Sequence, residues 1–191
     1  MLKGILIING HPNGNSFCSA LGKAYKDGAL EGDNEVRELS LAQLKFNPIL
    51  KGYGQTMEFE QDLQKAQEFI KWSDHIVFTY PTWWGTMPAL LKGFIDRVFS
   101  PGFAFKYTEG PLPEKLLKGR STRLIVTMDS PKWYYNLVYG KPGHNAMKRS
   151  TLKFCGINPV KVTTIGPISQ STDDKRQTWL KEIKQLGISS A

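Results

Sequence analysis

A doubly wound α/β sheet of five parallel strands, ordered 2-1-3-4-5 with helices on both faces, is the fold this sequence predicts, on three observations. Apolar runs of strand length recur along the chain, as in Gly4–Asn9 (GILIIN) and His75–Tyr80 (HIVFTY). Each is followed by a stretch of helical period, and uninterrupted apolar strands alternating with helices indicate a parallel sheet covered on both faces. Five such units occur, which fits the smaller of the two common doubly wound arrangements. No repeat, low-complexity tract or linker divides the chain, so residues 1–191 read as a single domain.

The elements follow in order. Gly4–Asn9 is the first strand, and Ser16–Lys26 reads as a helix with Phe17, Leu21 and Ala24 on one face. Glu35–Leu39 is a shorter, more polar strand that suits a sheet edge. Met57–Trp72 is a longer helix, with Phe59, Leu63, Ala66 and Ile70 near helical spacing. His75–Tyr80 is the third strand. Pro88–Phe99 is an amphipathic helix, with Pro88 suited to the first helical position. Leu124–Thr127 forms the core of the fourth strand, Ala146–Phe154 a helix and Val160–Ile165 the fifth strand. Thr178–Leu186 lies in a closing helix.

Composition bounds the function. The 191 residues are 40% hydrophobic and 22% charged, values of a globular chain rather than a disordered one. No apolar run approaches the roughly 18 residues of a membrane span, so no membrane insertion is expected. The apolar start ends at Gly10, His11 and Pro12 without a small-residue cleavage site, and a cytoplasmic enzyme is the expectation. Cys18 and Cys155 are too few for a disulfide framework and lack the clustering of a zinc site; they read as buried thiols, and no metal is expected. The net charge of +8 is scattered, with short clusters at Lys148-Arg149 and Lys175-Arg176, and no nucleic-acid signature appears. Solvated lysines account for it, while a positive field also favours an anionic substrate such as a phosphorylated nicotinamide cofactor.

In a doubly wound sheet, ligands sit beyond the carboxyl ends of the strands, at the switch point between strands one and three. The first loop there reads Gly10-His11-Pro12-Asn13-Gly14-Asn15-Ser16 and opens a helix. Helix starts expose unpaired N–H groups and partial positive charge, so the loop suits a phosphate, with His11 and Ser16 as added donors. A capped turn, with Asn15 or Ser16 as cap, is the plainer alternative. The spacing matches neither the dinucleotide nor the nucleoside-triphosphate fingerprint. The second loop, Tyr80-Pro81-Thr82-Trp83-Trp84-Gly85-Thr86-Met87-Pro88, follows the third strand. Paired tryptophans there call for a flat ligand or a partner, or else for core or dimer packing. The third loop, Thr127-Met128-Asp129-Ser130-Pro131-Lys132-Trp133-Tyr134-Tyr135, follows the fourth strand.

The segments GHPNGNSF, KFNP and YPTWWGTMPALLKGFIDRVFSPGFAF together resemble the flavodoxin-like NAD(P)H:quinone oxidoreductase family, over nearly the whole chain. The resemblance implies noncovalent FMN or FAD, NADPH or NADH as hydride donor, a quinone-like acceptor, and a homodimer with Pro88–Phe99 near the subunit contact. By matching positions, it implies that His11, Ser16, Phe17 and Cys18 hold the flavin phosphate, the last two through backbone groups. Pro81, Thr82, Trp83, Trp84 and Gly85 would run along the flavin ring, and Thr127 would match a further contact. Gly85 stands where mammalian members carry an aromatic residue, and Met128, Asp129 and Pro131 depart from their threonine- and glycine-rich turn. Tyr135 aligns with a family tyrosine, and His144 with a family histidine after a small shift; both are candidates to polarise the acceptor. The chain lacks the C-terminal extension of mammalian members that helps hold adenine, which favours FMN. An electron-carrying flavodoxin is an alternative, against which the +8 charge argues, and one branch of the family implies a regulatory ancillary subunit of a membrane transporter as another.

Overall fold

The computed structural model describes residues 2–53 and 57–190. Its sheet comprises β1 (Gly4–Asn9), β2 (Glu35–Ser40), β3 (His75–Pro81), β6 (Ser121–Thr127) and β7 (Val160–Ile165), all parallel, in the order β2-β1-β3-β6-β7. Counting sheet strands alone, this is the expected 2-1-3-4-5. Period-two alternation in β1 divides the core in two. Ile5 and Ile7 face α1 (Phe17–Glu31) and α6 (Asp173–Ile188), while Leu6 and Ile8 face α2 (Gln61–Trp72) and α3 (Ala89–Val98). Every residue of β3 is buried, as the centre of a sheet covered on both faces requires. The α1–α6 pair packs closely because Gly28 and Gly187 let the backbones touch: a Cβ on Gly28 would lie 2.0 Å from the Lys184 carbonyl oxygen.

Three differences from the sequence reading have physical causes. Helix α2 begins at Gln61 rather than Met57, since Glu60 is extended and its carboxylate is used elsewhere. That carboxylate accepts the Asn47 N–H at 2.8 Å and pairs with the buried Arg97 of α3 at 2.7 Å. Arg97 also donates to the Asn47 and Glu58 carbonyls, so it straps both flanks of this long connection to the helix. Pro88 caps α3 in a non-helical conformation (ψ 149°) instead of opening it. The expected helix over Ala146–Phe154 is entered through α5 (Pro142–Asn145) and runs as a π-helical stretch, Ala146–Lys153. The wider turn brings Met147 and Leu152, five residues apart, to the same buried face. A short ribbon, β4 (Phe105–Lys106) with β5 (Glu114–Lys115), and helix α4 (Lys132–Leu137) complete the fold. Among the described residues no helix is long and apolar enough to cross a membrane.

Candidate functional site

The carboxyl ends of β1, β3 and β6 bring all three loops to one edge of the sheet. The first is wired by its own side chains. Asn9 Oδ1 accepts the His11 N–H (3.1 Å), His11 Nδ1 accepts the Asn13 N–H (2.9 Å), and Asn13 Oδ1 accepts the Asn15 N–H (2.9 Å). These turns use the loop's early donors internally and present the helix start to solvent. Ser16 is the N-cap, its Oγ accepting from the Ser19 N–H at 3.3 Å. The N–H groups of Phe17 and Cys18, in the first turn, have no intrahelical acceptor. With Nδ1 of His11 acting as acceptor, its proton resides on Nε2, a neutral donor at the loop's edge. Partial burial lowers the His11 pKa, so the ring stays uncharged without an anion beside it. Its ring meets Trp83 edge to face, 5.7 Å between centroids, which joins the first loop to the second.

The second loop is a tight turn closed by two backbone bonds, Trp83 N–H to Thr86 O (2.9 Å) and Thr86 N–H to Trp83 O (3.0 Å). Both central residues have positive φ, +49° for Trp84 and +75° for Gly85. Glycine adopts this readily, whereas a tryptophan there carries strain of about 1 kcal/mol or more, of the kind that collects at functional sites. The Trp84 indole stands wholly in solvent at the turn's tip (101% exposed). The turn is held from behind by a triangle of bonds. Tyr135 Oη donates to Gly85 O at 3.0 Å, and the Gly143 N–H lies 3.0 Å from Tyr135 Oη and 3.1 Å from Gly85 O. Gly143 is needed for that approach, because a Cβ would lie 2.9 Å from both Gly85 O and Thr86 Cα.

These loops enclose a cleft of two lobes. The larger, about 480 Å³, is walled by Trp84 and Gly85 on one side and by Tyr135, Tyr139 and Pro142 on the other. The smaller, about 210 Å³, is lined by His11, Phe17, Cys18, Pro81, Trp83 and Thr127, with Ile168 closing it. Thr82, Met128 and Asp129 belong to both, so the lobes are continuous. Cys18 Sγ lies 3.3 Å from Thr127 Oγ1, and burial pushes its thiol up to about 11, so it stays protonated and inert. Arg176 stacks on the outer face of Phe17 and bonds to Ser171 Oγ at 2.9 Å.

Ten of the twelve residues singled out from the sequence therefore line the cleft. Ser16 lies beside it as the helix cap. His144 is buried behind Tyr135, ring centroids 4.9 Å apart, and lines neither lobe. Burial, with Lys141 nearby, lowers its pKa to about 4. Tyr80, whose hydroxyl is buried without a partner and whose pKa burial raises, was not singled out from the sequence. Nor were Met128, Asp129, Ser130, Tyr139, Pro142 and Ile168 as lining residues. For Asp129 and Ser130 a signal existed, an Asp-Ser-Pro turn directly after a strand at the ligand-bearing edge; for Ile168 there was none.

Comparison with known proteins agrees with this fold. A Haemophilus influenzae protein described as an uncharacterized NAD(P)H oxidoreductase is 31% identical over 182 residues, covering 92% of this chain and 90% of that protein. The rat NAD(P)H dehydrogenase (quinone) 1 is 24% identical over 214 residues, covering 95% of this chain and 76% of its own. Among solved structures, Smu.1420 from Streptococcus mutans UA159 superposes with a TM-score of 0.84 at 34% identity, covering 97% of this chain and 99% of its own. The family model described as the flavodoxin-like fold matches residues 3–186, and the chain belongs to that family.

Proposed function

We propose that this protein is a flavin-dependent NAD(P)H oxidoreductase that reduces quinone-like acceptors two electrons at a time, by a ping-pong mechanism. The observation that carries the reading is the two-lobed cleft, with a phosphate-ready helix start at one lobe and a flat aromatic turn at the other. The residues fit the group: neutral donors and free N–H groups suit a phosphate ester, and the adjoining lobe of about 480 Å³ is of ordinary ligand-site size. A flavin held there would supply two-electron hydride-transfer chemistry between a nicotinamide and a quinone, whose reduction to the hydroquinone also needs one proton from solvent.

The chain's own residues bind and orient. The N–H groups of Phe17 and Cys18, the Ser16 hydroxyl and His11 Nε2–H would hold the phosphate. The paired bonds of the Trp83–Thr86 turn leave the N–H groups of Trp84 and Gly85 unused, and these would stabilise negative charge on a ring held against the turn. Tyr135 holds the turn in place through Gly85 O, with His144 packed behind it, and polarises the acceptor only if its hydroxyl leaves that carbonyl. FMN is favoured over FAD, with either NADH or NADPH as donor. The two cysteines are free and buried, which suits the reducing cytoplasm where nicotinamide cofactors are available.

A homodimer belongs to this reading. Trp84 and Tyr139 border the cleft exposed, and the rings Trp133, Tyr134 and Tyr139 touch in series beside it, an apolar mouth that a second subunit would cover. Much of α3 is buried within the subunit, but Ile95 and Phe99 open into an apolar groove of about 400 Å³ shared with Phe105 and Phe154. Sedimentation at micromolar concentration should give twice the chain mass.

Two outcomes check the site. One lobe pair leaves room for a single partner of the ring, so varying donor and quinone together should give parallel double-reciprocal lines; intersecting lines would exclude the shared site. Ser16→Ala should weaken FMN binding by about 1–3 kcal/mol through loss of a charge-assisted bond, and lower stability by about 1 kcal/mol through loss of the cap. Ser16→Asp separates the two in calorimetry and thermal melting: it keeps the cap, yet repels a phosphate and should abolish binding. FMN affinity unchanged in both variants would move the phosphate elsewhere.

A further inference from the structure

The walls of the cleft carry one formal charge. Among the described residues lining either lobe, Asp129 is the only acid, and none is a lysine or arginine. The carboxylate stands where the lobes meet, exposed at the mouth, and its Oδ1 accepts the Ser169 N–H at 2.7 Å. None of the ion pairs among the described residues involves it. His11, the one group among the described lining residues able to carry positive charge, is kept neutral by burial. Lys132, the first residue of α4, and Lys141, the N-cap of α5, are exposed and outside the lining. A chain of net charge +8 thus places a lone negative charge at the mouth of its main cleft.

We propose that Asp129 sets the charge of the acceptor: uncharged or cationic aromatic rings enter, and rings bearing a sulfonate or carboxylate are turned away. The inference rests on the reading of the larger lobe as the place where the flavin ring and the acceptor meet. At an effective dielectric constant of about 20, like unit charges roughly 10 Å apart repel enough for about a tenfold change in binding. Salt weakens this, since the screening length is about 10 Å at 0.1 M. A nicotinamide donor meets the exclusion less, because its reduced ring is uncharged and its phosphates are many bonds from that ring.

The test uses three probes: an uncharged naphthoquinone, the same ring with one sulfonate, and the same ring with one trimethylammonium group. Each is titrated at low ionic strength by quenching of tryptophan fluorescence, and kcat/KM is measured with NAD(P)H as donor. The protein is compared with Asp129→Asn, whose amide oxygen still accepts the Ser169 N–H. Preferences are read as ratios within each variant, so differences in flavin content or overall rate cancel. The expected result is about a tenfold preference for the uncharged over the sulfonated ring, with the cationic ring at least as good as the uncharged one. Asp129→Asn should reduce that preference to about twofold or less, and added salt should narrow it in the unsubstituted protein alone. A preference untouched by the substitution, or a cationic ring bound worse than the uncharged one, overturns the assignment. Absence of turnover with the uncharged quinone would defeat the oxidoreductase reading separately; the quenching ratios would still decide for or against Asp129.

Discussion

Gly143→Ala is expected to lower quinone turnover by more than about tenfold and stability by about 1–3 kcal/mol, because the added methyl group meets only rigid neighbours. Its Cβ would lie 2.9 Å from Gly85 O and Thr86 Cα and 3.0 Å from Tyr135 Oη. None can yield without moving the turn that carries Trp84, and a misplacement of about 1 Å in a positioning element can cost on the order of a hundredfold in rate. Tyr135→Phe gives the contrast. It removes the bond to Gly85 O and the one accepted from the Gly143 N–H and adds no clash, while the Gly143 N–H remains to hold that carbonyl at 3.1 Å. Its cost should be about 1 kcal/mol in stability, with a smaller loss of turnover than in Gly143→Ala. A loss in Tyr135→Phe as deep as in the glycine variant would assign the hydroxyl a direct part in proton transfer. Normal turnover in Gly143→Ala would show that the bonded triangle does not position the turn.

Acid should begin to destabilise the protein before its carboxylates titrate. His75 is 2% and His144 8% exposed, and Nε2 of each is buried without a partner. Burial lowers both to about 4; Lys3, Arg123 and Lys161 add to the effect at His75, and Lys141 at His144. In the unfolded chain each imidazole takes a proton near pH 6.5, so between that pH and about 4 the unfolded state binds more protons than the folded one. The stability from keeping these rings neutral is therefore complete above about pH 6.5 and declines as pH falls through that window. At its lower end the loss approaches roughly 3 kcal/mol per ring, a large share of the usual 5–15 kcal/mol. Urea unfolding between about pH 7 and pH 5 should show this slope, and His75→Asn with His144→Gln should flatten it. Stability that is level across that range would mean that both rings gain solvent or a partner on protonation.

The parts of the fold that were legible in the sequence are those fixed by long apolar runs. The five strands, their order and the flanking helices follow from GILIIN, HIVFTY and their helical sequels, since burial on both faces leaves such runs no alternative. Ribbon β4–β5 escaped because two-residue strands hold no period. Helix α4 escaped because Trp133 and Leu137 point to solvent, so no apolar face marks it. The start of α2 was misread because Met57 and Phe59 continue the helical spacing, while the long-range pairing of Glu60 with Arg97 leaves that segment extended. At the site, the first two loops were legible from turn residues beside strand ends. The bonds that consume the Tyr135 hydroxyl, and the enclosure of His144, depend on α5 folding back against the second loop, which no local pattern encodes.

The central claim is that the cleft at the ends of β1, β3 and β6 is a flavin site. The most direct measurement is to purify the protein, release any small molecule by denaturation, identify it by absorption and mass, and count it against chain concentration. The reading predicts a yellow protein with about one FMN per chain, or a colourless one that takes up added FMN to that ratio with quenching of its fluorescence. A protein that carries no flavin and binds neither FMN nor FAD when supplied would contradict it.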